Sequence, residues 1–175
     1  ADEIIFFDPK TPRISPWVSS TKDERFLFLY RSKGTYGNAL YFRDTWKNAD
    51  GWISILEDYE SEIDVIDHHK GQLIAQTDRG APYKRIVRIN PDNPKENAWK
   101  TLISGNKDEV LYNVNLVGGK LIAHFTKDVL SVWKVFDLDG NYLYDIDLPG
   151  KGIVNGFNGN KDQVTTWFSF NNFVT

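Results

Sequence analysis

The sequence predicts an all-β fold, a partial β-propeller of about three and a half four-stranded antiparallel blades. First, the segment GQLIAQT at 71–77 returns as GKLIAHF at 119–125, an offset of 48 residues. Second, Trp52 and Trp99 recur at an offset of 47 residues. Third, the apolar segments are short and bounded by turn residues, and none shows a sustained 3.6-residue period. Propeller blades repeat every 40–50 residues or so, about the interval seen here.

The first full blade is predicted to span residues 13–62. Before it, the apolar segment at 4–7 predicts a strand closed by the turn pair Asp8-Pro9, which belongs to a partial blade, 1–12. Leu27, in the second strand of the full blade, precedes Ile74 by 47 residues and so extends the repeat. The four strands predicted for this blade are PWVSS (16–20), RFLFLY (25–30), ALYFRD (39–44) and WISILE (52–57).

Two further blades are predicted at 63–111 and 112–155, and a partial blade at 156–175, so that 1–175 is one incomplete propeller segment. Asp139-Gly140 is a strong hairpin signal, because this pair suits a type I′ turn. The strands predicted for these blades are IDVIDH, QLIAQT, KRIVRIN and WKTLIS, then YNVNLV, KLIAHF, VWKVFDL and NYLYDIDL, and finally TTWFSF (165–170).

Composition limits the classes of partner. The chain is 41% apolar with a net charge of −3 and no basic stripe, which argues against nucleic acid. No run of 18 apolar residues predicts a membrane span. Cysteine is absent, which excludes thiol catalysis and disulfides. These features predict a soluble protein and leave the cytoplasm and the periplasm both open.

The two ends predict a piece of a longer protein. The chain has no methionine, and it stops just after an apolar strand whose predicted neighbours are missing. An incomplete ring leaves strand edges and apolar blade faces uncovered. We therefore expect the isolated segment to self-associate through its open blade faces.

Three segments resemble the N-terminal propeller of the prolyl oligopeptidase (prolyl endopeptidase) family, and their order and spacing agree with that family. The segments are YRSKGTYGNALYFRD (30–44), QTDRGAPYKRIVRINPDNPKENAWKTLI (76–103) and LPGKGIVNGFNGNKDQVTTWFSFNNF (148–173).

The resemblance implies a specific role for the chain. Family members join a seven-bladed propeller to an α/β-hydrolase domain, whose Ser-Asp-His triad cleaves short peptides after proline. The expected partners are thus the chain's own hydrolase domain and short proline-containing peptides, to which the propeller gates access. By resemblance, Arg31 matches an arginine that reaches the bound peptide, and Ile14 matches an apolar position near the same pocket. Gly34 falls where close animal relatives have a cysteine.

No catalytic residue is predicted in this chain, because the nucleophile elbow G-x-S-x-G is absent. His68 and His69 are expected in an exposed turn, and His124 at a strand end as an ordinary polar residue. Neither a metal nor a cofactor is predicted. The isolated chain should therefore be inactive. The alternatives are a stand-alone propeller-like module that binds a peptide or protein, and a propeller glycosidase, which would need paired carboxylates.

Overall fold

The computed structural model describes residues 4–47 and 51–172. These residues form 14 strands and two 3-10 turns of three residues, which confirms the predicted all-β fold. None of the helical segments in the described ranges is long or apolar enough to cross a bilayer. Residues 1–3 and 173–175, at the ends of the two predicted partial blades, lie outside the described ranges. The chain divides into two compact units, 1–62 and 63–175, which we describe in turn.

The first unit holds one four-stranded antiparallel sheet with its strands in chain order. Each strand pairs with the next strand of the chain, as short connections allow for antiparallel neighbours. The strands are β1 (Ser15–Ser20), β2 (Phe26–Ser32), β3 (Ala39–Asp44) and β4 (Ile53–Leu56).

Strand β2 supplies much of the core of this sheet. Phe26 and Phe28 lie on one face and are at most 2% exposed. Phe26 meets Phe42 of β3 edge-on, with ring centroids 6.1 Å apart. Because successive side chains of a strand point to opposite faces, Leu29 and Arg31 lie on the other face. Burying each large apolar side chain contributes about 1.5–3 kcal/mol, so a one-residue slip of β2 would be strongly disfavoured.

The second unit holds three antiparallel sheets, two with four strands and one with two. The first sheet is β5 (Ile63–His69), β6 (Gln72–Thr77), β7 (Arg85–Ile89) and β8 (Lys100–Ser104). The second is β9 (Val110–Val117), β10 (Lys120–Lys127), β11 (Leu130–Phe136) and β12 (Tyr142–Asp145), and the third is β13 (Ile153–Gly156) with β14 (Phe168–Asn171).

The repeated segments occupy equivalent places in these sheets. The copies at 71–77 and 119–125 form β6 and β10, and each is the second strand of a four-stranded sheet. The segment at 24–30, which aligns with them, forms β2 in the same position of the first unit's sheet. The grouping of strands in fours, predicted from the repeat interval, is therefore confirmed.

Strand β10 has a continuous apolar run because both of its faces are covered. Leu121 and Phe125 share one core with Ile74 of the neighbouring sheet. Ile122 points to the opposite face and belongs to a second core with Val154 of β13. A strand buried on both faces requires apolar side chains at successive positions rather than at alternate ones.

Trp133 of β11 is the largest side chain of the second core. Its ring stacks on His124 with centroids 4.4 Å apart and an interplanar angle of 6°. On its other side it packs against Phe157 at 4.7 Å. The indole Nε1 is buried, and the described residues offer it no hydrogen-bond acceptor. Trp133 is thus held by packing alone.

The recurrence of Trp52 and Trp99 is typical of tryptophans packed in the core or between blades, but the six tryptophans differ in burial. Trp133 is buried, whereas Trp52 and Trp99 are half-buried and donate hydrogen bonds to the carbonyls of Ile5 and Pro94. The remaining three are exposed by 46–80%: Trp17, Trp46 and Trp167.

Most predicted strands begin and end within two residues of the observed ones, and three predictions differ by more. Residues 4–7 form no strand, because the chain turns around the Asp8 carboxylate rather than extending along a partner. Strand β12 ends at Asp145, before the predicted end at Leu148. The strand predicted at 165–170 lies instead at Phe168–Asn171.

Candidate functional site

Arg31 lies near the end of β2, where its guanidinium is held by the segment that precedes β1. Nη2 donates hydrogen bonds to Asp8 Oδ2 and to Thr11 Oγ1, each at 2.8 Å. The guanidinium carbon lies 5.4 Å from the centre of the Phe6 ring, within range of a cation–π interaction. Arginine is suited to such a position because its planar fork keeps further N–H donors in fixed directions.

The Asp8 carboxylate organises the turn that reaches Arg31. It accepts hydrogen bonds from the Thr11 hydroxyl at 2.6 Å and from the Lys10 backbone N–H at 3.0 Å. The Thr11 hydroxyl bond and the nearby Arg31 charge lower the pKa of Asp8, so this carboxylate is ionised near neutral pH. Ile14 N then donates to the Thr11 carbonyl at 3.1 Å, which continues the turn up to the start of β1.

Tyr41 of β3 lies on the same face of the sheet as Arg31, because it pairs with Leu29 two residues earlier in β2. Burial is the main cause that raises the pKa of its phenol, and a hydrogen bond with Arg31 acts in the opposite direction. The described residues provide no acceptor for the buried Nε–H of Arg31. Asp8, Thr11 and Tyr41 therefore leave part of the guanidinium's donor capacity unused.

Ile14 is half-buried and lines an open cavity of about 510 Å³ beside this turn. Thr11 joins the two predicted site residues, since it lines the same cavity and bonds to Arg31. The structure thus places Arg31 and Ile14 on either side of one short turn, and whether they contact a peptide remains a prediction. The full lining is Lys10, Thr11, Pro12, Arg13, Ile14 and Lys33.

The loop between β2 and β3 contributes Lys33 to the lining of the cavity. Lys33 places its ammonium 4.3 Å from the centre of the Tyr59 ring. Gly37 allows the same loop to pack against the backbone of Tyr59. Its φ is +75°, and a Cβ there would lie 1.9 Å from the Tyr59 carbonyl oxygen. By contrast, a Cβ at Gly34 would meet nothing within 4 Å, so crowding does not exclude a side chain at this position.

Asp8, Thr11 and the cationic side chains of the cavity were not predicted as site residues. A signal for the first two is present, because an Asp followed three residues later by Thr is typical of a turn closed by side-chain hydrogen bonds. The cations carry no comparable local signal. They become neighbours only because that turn folds back toward Lys33.

The histidines differ from the prediction of an exposed turn. His68 and His69 end strand β5, and the turn itself consists of Lys70 and Gly71, both with positive φ. His68 is buried, and its Nε2 lies 3.3 Å from Lys161 Nζ. The exposed-turn prediction is therefore wrong for His68, because β5 runs to His69, one residue beyond the predicted strand, and keeps His68 within the sheet. Nowhere in 4–47 or 51–172 do three or more potential metal ligands cluster.

His124 is buried between rings and joins β10 to β11. Its Nε2 lies 3.0 Å from Ser131 Oγ, which also accepts a hydrogen bond from Val154 N. Because Ser131 accepts from Val154, its own hydroxyl proton is free to be donated to a neutral His124. Burial lowers the pKa of this imidazole. The folded chain therefore favours the neutral ring.

This site predicts a pH dependence of stability. The unfolded chain protonates His124 near its ordinary pKa of about 6.5, and the folded chain only at lower pH. The unfolded state thus binds more protons in this window, so stability is lost as pH falls below about 6.5. The free energy of unfolding is measured in urea at about pH 7.5 and about pH 5.5. Between these two pH values, His124→Gln should lose less of it than the wild type does. Burial also lowers the pKa of His69, which contributes in the same direction, so His69 is left unchanged in both proteins. Equal losses in His124→Gln and the wild type would contradict this assignment.

The comparisons with known proteins agree on one family. The family model described as the N-terminal β-propeller domain of prolyl oligopeptidase matches residues 1–175. A prolyl endopeptidase of Elizabethkingia miricola is 36% identical over 176 residues, which cover 99% of this chain and 24% of that protein. The prolyl endopeptidase of Elizabethkingia meningoseptica is 34% identical, with the same coverage of each chain.

Solved structures show the same fold. One chain from a structural study of two prolyl endopeptidases superposes with a TM-score of 0.90 at 24% identity, covering 99% of this chain and 25% of that chain. The apo prolyl oligopeptidase B of Galerina marginata superposes with a TM-score of 0.86 at 20% identity. The match covers 98% of this chain and 25% of that chain.

The chain thus spans about a quarter of the length of the relatives it matches. Both the predicted resemblance and the predicted partial propeller are confirmed. The chain belongs to the prolyl oligopeptidase family, and it is part of that family's N-terminal β-propeller domain.

Proposed function

We propose that residues 1–175 act within a prolyl oligopeptidase-like serine peptidase, where they gate the access of short proline-containing peptides to a separate hydrolase domain. The chain supplies sheets and peptide contacts, and the hydrolase domain supplies the chemistry. The family match over all 175 residues, in a chain a quarter the length of its relatives, supports this division of roles.

The observation that carries the proposal is the anchored position of Arg31 at the end of β2. A side chain with 15% of its surface exposed, fixed by the two hydrogen bonds that Nη2 donates, is preorganised to donate to a peptide carbonyl. Preorganisation lowers the entropic cost of ordering a long side chain when a ligand binds. The apolar wall formed by Pro12 and Ile14 lies beside it, which suits an extended peptide better than a folded surface.

Gating predicts a dependence on substrate length in the intact protein that contains this chain. We expect kcat/KM for a fixed Gly-Pro cleavage sequence to stay high in short peptides and to fall once flanking residues make the substrate too long to enter. The measurement is a series of peptides that share the cleavage sequence and differ only in flanking length. A control series on the same sequences with a peptidase of open active site removes intrinsic differences between substrates. A flat profile in the intact protein would reject gating.

A further inference from the structure

The cavity beside Arg31 gathers positive charge. Three of its six lining residues are cationic, Lys10, Arg13 and Lys33, and none of the six is acidic. Within 4–47 and 51–172, the structure gives no salt-bridge partner to any of these three side chains. The chain as a whole has a net charge of −3, so this cluster runs against the overall charge.

The acidic group beside the cavity is already committed to other partners. Asp8 binds the Arg31 guanidinium, the Thr11 hydroxyl and the Lys10 backbone N–H. It therefore compensates Arg31 and leaves the side-chain charges of Lys10 and Arg13 uncompensated. Lys33 contacts the face of Tyr59, which attracts a cation without neutralising it.

The cavity has the size and the surfaces for a small anionic ligand with an apolar part. A volume of about 510 Å³ falls within the range of about 300–1,000 Å³ that is usual for small-ligand pockets. Pro12 and Ile14 contribute apolar side chains to the lining, and Lys10, Arg13 and Lys33 contribute one arginine and two lysines. A guanidinium fork matches the geometry of a carboxylate, with which it forms two parallel hydrogen bonds.

We propose that this cavity is a carboxylate-binding subsite for short peptides, formed by Lys10, Arg13 and Lys33. The assignment to peptides rests on the function proposed above. A peptide can supply the carboxylate from its C-terminus or from an acidic side chain. In either case, an acidic or free-ended peptide is held more tightly than a neutral one of equal length.

The test uses the intact protein that contains this chain and three tetrapeptides that lack proline and so are not cleaved. They are acetyl-Gly-Ala-Glu-Gly amide, its Gln counterpart, and the Gln peptide with a free C-terminal carboxylate. Binding is measured by isothermal titration at low and high salt. We expect at least one carboxylate peptide to bind about tenfold tighter than the neutral amide, and the difference to shrink in high salt. The tighter of the two identifies the source of the carboxylate.

The matched variants remove equal charge at different places. Lys10→Gln with Arg13→Gln should abolish the preference for carboxylate peptides. Lys22→Gln with Arg43→Gln should retain it, because Lys22 is exposed beyond the far end of β1 and Arg43 bonds to the Gly51 carbonyl. Circular dichroism verifies that both double variants are folded.

Two results would overturn the subsite. One is equal binding of all three peptides to the wild type. The other is an equal loss of preference in the two double variants, which would show that net charge alone is responsible. Neither result depends on peptide length or on cleavage. A failure of the subsite is therefore distinguishable from a failure of gating, which the length series measures.

Discussion

Replacing Trp133 by alanine is expected to lower the free energy of unfolding by about 3–5 kcal/mol. The side chain is 2% exposed and stacks between His124 and Phe157 in the core that joins β9–β12 to β13. Removing it deletes the largest contact of that core, and the surrounding strands can collapse only in part around the cavity. The measurement is urea unfolding of the chain followed by far-ultraviolet circular dichroism.

Trp133→Phe is the matched control for this prediction. Phenylalanine keeps an aromatic ring against Phe157 and removes the buried indole N–H, which has no acceptor in the described residues. Leaving a buried donor unpaired costs about 1–3 kcal/mol, so its removal offsets part of the lost packing. We expect the phenylalanine variant to lose less than half as much stability as Trp133→Ala. Equal losses in the two variants would show that the ring contacts contribute little.

Replacing Arg31 by glutamine in the intact protein is expected to lower kcat/KM for short proline-containing peptides by about ten- to a hundredfold. A hydrogen bond from a charged donor contributes about 1.5–3 kcal/mol, which corresponds to that range. Arg31→Lys should recover little of the loss, because an ammonium keeps the charge but not the planar fork that Asp8 and Thr11 orient.

Arg43→Gln is the control for Arg31, since it removes the same charge from the next strand of the same sheet. Arg43 donates to the Gly51 carbonyl and packs on Trp52, and its loss should leave kcat/KM within about twofold of the wild type. If the two variants lose activity equally, Arg31 acts through the fold or through net charge and not through a peptide contact.

The repeat made the sheets predictable from the sequence, because each copy places an apolar segment where a doubly covered strand is needed. Leu121 and Ile122 point to opposite cores, and both had to be apolar. The Asp139-Gly140 turn was predicted for a similarly local reason. The turn lies there, but its predicted type I′ is wrong, because the Gly140 N–H donates to the Asp137 carbonyl and Gly140 has a φ of +89° whereas Asp139 has no positive φ. These features depend on residues close together in the chain.

The site was less predictable because it depends on contacts between distant residues. Arg31 and Ile14 were identified by resemblance, and the structure places them around one turn. The direction of that turn is set by Asp8, whose partner Arg31 lies 23 residues away in the chain. His68 was misplaced for a similar reason, since β5 pairs with β6 as far as His69 and leaves only Lys70 and Gly71 in the turn.

The claim that this chain governs access and carries no chemistry is tested most directly by a paired assay. Equal molar amounts of the 175-residue chain and of the intact protein are incubated with the same Gly-Pro reporter peptide, and chromophore release is followed to many turnovers. We predict sustained release by the intact protein and none by the chain alone. Turnover by the isolated chain, in proportion to its concentration, would contradict the account, as would an intact protein that leaves the reporter uncleaved.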